Sequence, residues 1–142
     1  MKTSTKGLQA IEGREGRKNV AYQDSKGIWT IGVGHTGPEV VEGLEWTEEQ
    51  IEAALAEDVT KVEDMLNANV TVDLKQNQFD ALVSIGFNIG YNGELHSTIL
   101  RKLNAGDYDG ASDAIMMWDK PPEIVDRRKT EQLQFDTPYT DA

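Results

Sequence analysis

Three side chains near the start of the chain, Glu15, Asp24 and Thr30, are the ones whose types and spacing best support a defined chemistry. Two carboxyl groups are the minimum equipment for splitting a glycosidic bond. One must hold a proton and give it to the leaving oxygen, while the other is ionised and activates a water or attacks the sugar. Glu15 and Asp24 are nine residues apart, and Thr30 follows six residues later. Separation alone says little, because an acidic chain offers many such pairs and most carboxylates are solvated surface groups. The neighbouring elements give this pair its meaning.

Residues 3–14 place Leu8 and Ile11 three apart among polar neighbours, with Ser4 or Thr5 available as a cap, which predicts a short amphipathic helix. That helix delivers Glu15 at its C-terminal end, where Gly16 can adopt the left-handed conformation that stops a helix. From Val20 to Thr36, β-branched and aromatic residues are broken by Ser25-Lys26-Gly27 and by Gly32 and Gly34. This pattern predicts a twisted hairpin with a third short strand, Asp24 at its turn and Thr30 on the returning strand.

The run from Glu15-Gly16 through Ala21-Tyr22-Gln23-Asp24-Ser25-Lys26-Gly27-Ile28-Trp29-Thr30-Ile31-Gly32-Val33-Gly34-His35 resembles the signature of the phage-type lysozymes, the endolysins of glycoside hydrolase family 24. Their pattern is Glu, eight residues, Asp, five residues, Thr or Cys, then Ile-Gly-x-Gly-His, and each place is filled here. Leu74 to Gly90, Ser97 to Tyr108 and Arg127-Arg128 also resemble that family. Glu12, before Gly13, is a second carboxylate near the site, but it misses the spacing and is read as surface.

The resemblance implies a lysozyme-like α+β fold, with a small β-containing N-terminal lobe joined by a long helix to a helical C-terminal lobe. The whole of 1–142 is expected to be one domain, with the N-terminal lobe at about 13–60, the first helix packed on the C-terminal lobe, and that lobe at about 67–142. It implies hydrolysis of the β-1,4 bond between N-acetylmuramic acid and N-acetylglucosamine with inversion, for host lysis by a phage, and no cofactor or metal. Glu15 is the expected acid, with Asp24 and Thr30 steering the water. An arginine from the last helix is expected against Glu15, and Arg127 is the choice over Arg128 by its order in the motif. Gly34, His35 and Asn88 complete the candidate contacting or orienting residues, although His35 reads first as a hydrogen-bonded structural histidine. Two other readings are a lytic transglycosylase, which needs only one acid, and a glycan-binding module without turnover.

The whole chain sets further bounds. At 142 residues it has the length of a single domain, and it has no cysteine and therefore no disulfide or thiolate ligand. The N-terminal residues lack the apolar centre of a signal peptide, so a soluble protein made in a cytoplasm is expected. By resemblance it acts as a monomer on glycan strands in the periplasm, inserts in no membrane, and reaches the wall through a separate pore of the holin type.

The formal net charge of −11 disfavours a nucleic-acid partner. That charge is uneven. Residues 1–38 hold six bases against three acids, whereas residues 39–64 hold ten acids against Lys61 alone.

Beyond the hairpin, Gly37 to Trp46 reads as a loop, and Thr47 with Gln50 forms a capping box for a long helix. Ile51, Leu55, Val59, Val62 and Leu66 form its apolar stripe. After a connector at 67–73, a helix carries Phe79, Leu82, Val83, Gly86 and Phe87 and ends through Asn88 to Gly93. Ser97 starts another helix that closes at Gly106. Asp107 starts the next, reaching to Trp118, and Pro121-Pro122 precedes a last helix over about 123–135. There Arg127 and Arg128 are about 100° apart on the helix, so only one is expected to face inward. The tail from Asp136 is expected to be irregular and frayed.

Overall fold

The computed structural model describes residues 1–140. Ser4 caps the first helix, α1 (Thr5–Glu15), by accepting the Gly7 N–H at 3.1 Å, and Gly16 ends it with φ +83°. Three short antiparallel strands follow in the order β1 (Lys18–Gln23), β2 (Trp29–Gly32), β3 (His35–Thr36). Tyr22 pairs with Thr30, and Thr30 with Thr36, so these three stand in one row across the sheet. An irregularity between Lys18 and Tyr22 bends β1, which starts two residues before the expected Val20.

Helix α2 (Glu48–Asn69) carries the predicted capping box, with Thr47 and Gln50 satisfying each other's backbone N–H groups. Its apolar stripe of Ile51, Leu55, Val59, Val62, Met65 and Leu66 is buried, while its acids face outward except for the half-buried Asp58 and Glu63. Each such side chain contributes about 1.5–3 kcal/mol when fully removed from water. The other helices are α3 (Gln76–Ile89), α4 (Tyr91–Leu95), α5 (Thr98–Asn104), α6 (Tyr108–Ile115) and α7 (Val125–Asp136). Helix α3 is central: α1, α2, α4 and α7 all pack on it, and nine of its residues are buried. This is the α+β architecture, a small three-stranded sheet followed by a helical body, that the resemblance implied.

Four local expectations need correction. The Asn88–Gly93 segment does not simply end α3, because the chain restarts after Gly90 as the single turn of α4. Helix α6 stops at Ile115, short of Trp118. The last helix is preceded by a separate 3-10 turn, Pro122–Ile124, because proline fits a first turn but cannot donate within an α-helix. The tail is tied down over its described part. Tyr139 donates to Asp80 Oδ2 at 2.9 Å and accepts from Gln134, with Lys6 Nζ 5.0 Å from its ring centroid. Residues 141–142 lie outside the described residues.

Candidate active site

Glu15 ends α1 at the rim of a cleft of about 460 Å³, lined on one side by the sheet and on the other by Phe87, Asn88, Trp118 and Arg128. Its side chain is only 15% exposed. Arg127 Nη1 donates to Glu15 Oε2 at 2.8 Å, and the same guanidinium donates to Glu131 Oε2 at 3.2 Å and to the Ser84 carbonyl at 3.1 Å. Fixed by two further helix contacts, this arginine holds one oxygen of Glu15 in place.

Gly34 limits Glu15 from the other side. A Cβ on Gly34 would lie 2.7 Å from Glu15 Oε1, and φ there is +62°, a conformation that favours glycine. The carboxyl therefore rests on bare backbone. Gly34→Ala is expected to displace Glu15 by about 1 Å and lower kcat roughly 10²-fold with the fold retained, as steady-state kinetics and circular dichroism would show.

Asp24 sits at the turn between β1 and β2, where its Oδ1 accepts the N–H groups of Lys26 at 2.8 Å and Ile28 at 2.9 Å. Its backbone also pairs with Ile28 and Gly27. One carboxylate oxygen is thus spent on orienting the group, and Oδ2 accepts no hydrogen bond among the described residues. Thr30 is a buried residue at the cleft wall, and its hydroxyl donates to the Ile28 carbonyl at 3.0 Å. With its proton committed, its oxygen is left to accept from a water in the cleft.

The structure thus brings Glu15, Asp24, Thr30, Gly34, Asn88 and Arg128 to one cleft. Asn88 Oδ1 accepts from Arg128 Nη2, which turns its amide N–H groups outward at an exposed position. His35 lies elsewhere. It lines a separate groove with Trp46 and Glu57, its Nδ1 at 2.6 Å from Asp58 and its Nε2 at 2.6 Å from Glu39. The Asp58 contact ties β3 to α2, and the Glu39 contact ties it to the loop that follows.

Burial works against charge on His35, but the hydrogen bonds to Asp58 and Glu39 outweigh it and raise its pKa above the ordinary value. A raised folded pKa means the pair stabilises fully below the unfolded value of about 6.5 and loses that contribution as pH rises through the folded one. Thermal melts from pH 6 to 9 should therefore show a decline that His35→Gln flattens.

The expectation that only one of Arg127 and Arg128 faces inward is overturned. Their side chains are 10% and 2% exposed. Helix α7 is covered on two flanks, by α3 and by α6, so a turn of 100° still leaves both inside. Arg128 reaches Glu131, Asn88 and the Trp118 carbonyl. Glu131, fully buried, joins both arginines to the Ser84 hydroxyl at 2.6 Å. A buried acid between two guanidiniums is stable only with its hydrogen bonds complete, and here they link α3 to α7 behind Glu15.

Sequence reasoning missed Tyr22 as a site residue. It lines the cleft, and burial, followed by the negative charges of Glu15 and Asp24, raises the pKa of its hydroxyl. The signal was there: Tyr22 and Asp24 are two apart at the end of a strand, the spacing that places side chains on one face. Among the described residues, no three His, Asp or Glu side chains converge as a metal site.

Residues 12–131 match the family model for phage lysozyme. The endolysin of Salmonella phage P22 is 42% identical over 95% of this chain and 98% of its own length. The endolysin from Escherichia coli O157:H7 phage FAHEc1 superposes with a TM-score of 0.87 at 35% identity, covering 99% of this chain and 98% of that one. The muramidase domain of SpmX from Asticaccaulis excentricus gives 0.84 at 36% identity, over 96% and 99%. With a family model spanning most of the chain and a near full-length relative, the chain belongs to the phage lysozyme family, the glycoside hydrolases that open peptidoglycan for host lysis.

Proposed function

We propose that the chain is a muramidase cutting the β-1,4 bond between N-acetylmuramic acid and N-acetylglucosamine, with Glu15 as acid and Asp24 with Thr30 positioning the attacking water. The observation that carries this reading is that Glu15 and Asp24 face one cleft from different elements, each fixed through one oxygen. The similar SpmX domain bears the same description, muramidase.

In the reaction, Glu15 gives its proton to the glycosidic oxygen as the bond to the anomeric carbon breaks. A water donating to Asp24 Oδ2 and to Thr30 Oγ1 attacks that carbon from the opposite face, and its proton passes to Asp24. Attack opposite the leaving group inverts the anomeric centre. Arg127 keeps Glu15 aimed, and the neutral Tyr22 hydroxyl can donate to the bound sugar.

This reading extends to the protein as a whole. It acts as a monomer, in one domain of two lobes, and depends on a separate membrane pore for access to the wall. No helix among the described residues is long and apolar enough to cross a membrane.

Mass spectrometry of the soluble products from purified peptidoglycan tests the chemistry. Reducing muramic ends are expected, and proton resonance of the fresh products should show the inverted anomer first. Anhydro-muramic ends would move the assignment to a lytic transglycosylase, and the absence of soluble product to a glycan-binding module.

A further inference from the structure

The net charge of −11 poses a problem that the catalytic residues do not solve, because the muramic acids of peptidoglycan carry peptide stems with free carboxylates. Like charges at a binding surface are costly and slow encounter. An enzyme this acidic must therefore meet the stems at some locally positive place.

The catalytic cleft has two candidates on its opposing walls. Lys26 comes from the β1–β2 turn and Lys120 from the connection between α6 and the 3-10 turn. Both are exposed, and neither takes part in an ion pair among the described residues. This distinguishes them from the other cations of the site. Arg127 and Arg128 are consumed by Glu15 and Glu131, and Arg17 by Glu12, Glu48 and Glu52 outside the cleft.

Each lysine is presented by a segment with its own reason to be fixed. The Lys26 N–H is one of the two donors that orient Asp24, so the loop that sets the carboxylate also sets the lysine. Lys120 is followed by Pro121, which shares the cleft wall with Trp118 and Ile124. That apolar wall suits the alkyl part of a lactyl-peptide branch, with an ammonium group at its end for a carboxylate. The acids flanking Lys120 in sequence, Asp119 and Glu123, do not line the cleft.

We infer that Lys26 and Lys120 are specificity-determining residues that grip the carboxylates of the peptide stem on the muramic acid being cut, one from each wall of the cleft. The inference rests on the muramidase reading above. It predicts a preference for stem-bearing strands over bare glycan, and a preference that added salt weakens.

The test compares two polymers: peptidoglycan strands with intact stems, and the same strands stripped by an amidase. Kinetics are measured on the full chain, on Lys26→Ala/Lys120→Ala, on Lys26→Glu/Lys120→Glu, and on Lys102→Ala in α5 as a distant control. The ratio of kcat/KM for stem-bearing over stripped strands is expected to fall about tenfold in the double alanine variant, through KM, and further in the double glutamate variant. The control should keep the parent ratio. A ratio unchanged in both double variants, or a parent enzyme that cuts the two polymers equally well, overturns the inference while leaving the muramidase reading intact. A parent enzyme that releases reducing ends from neither polymer overturns both.

Discussion

Glu15→Gln is expected to lower turnover by about 10³-fold, the largest single effect of any conservative change in the cleft. The glutamine amide has the same shape and keeps an oxygen to accept the Arg127 hydrogen bond, which is 2.8 Å in the parent. What it cannot do is supply a proton to the leaving oxygen. The rest of the network behind it, from Arg127 through Glu131 to Ser84 and Arg128, does not depend on the Glu15 charge for its own pairing. The variant should therefore fold, bind glycan and fail in chemistry. Muropeptide release measured at saturating substrate, beside a circular dichroism melt, decides the matter. A variant within tenfold of the parent would remove Glu15 as the acid.

Much of this arrangement was legible because it is local. The helix that ends at Glu15, the turn that holds Asp24 and the strand that carries Thr30 are contiguous, and each announces itself by a glycine, an Asx-type turn residue or a β-branched run. The capping box at Thr47 and the apolar stripe of α2 are similarly written in one window of sequence. What was not legible depends on contacts far apart in the chain. The inward packing of both Arg127 and Arg128 requires knowing that α3 and α6 cover α7 on two flanks, which the 100° step between neighbours cannot reveal. The tail was expected to fray because a short polar end usually does, but Tyr139 reaches Asp80, 59 positions earlier. Helix α4 was missed because Asn92 and Gly93 carry turn chemistry, and a single turn has no periodicity to detect.

Glu94 is the second residue at which a substitution should have a large effect, and here the expected change is a gain. It lies on α4 with no solvent exposure, and neither carboxyl oxygen has a hydrogen-bond partner. A Cβ on Gly86 would stand 2.5 Å from its Oε1, so the carboxyl is packed on the bare backbone of α3. Asp80 shows what a satisfied buried carboxylate requires. It accepts from the Ser4 N–H, the Ser4 hydroxyl, Gln76 and Tyr139, and it ties α1, α3 and the tail together.

Glu94 has none of this. Burial first, and the charge of Glu131 second, push its pKa well above the usual carboxylate range, with Arg128 opposing. A raised folded pKa means that stability is highest below the unfolded pKa of about 4.3 and falls by about 1.4 kcal/mol per pH unit until the folded pKa is reached.

Two variants separate the causes. Glu94→Gln removes the titration but leaves a buried polar group unpaired, so its stability relative to the parent should improve as pH rises from 4 to 7. Glu94→Met removes both penalties, and at pH 7 it should be more stable than the parent by about 3 kcal/mol. Urea unfolding at pH 4 and pH 7 measures both. A difference between the parent and Glu94→Gln that is the same at the two pH values would mean that Glu94 finds a partner when it ionises. The gain should leave the proposed chemistry unaltered, because Glu94 is not among the residues that line the cleft.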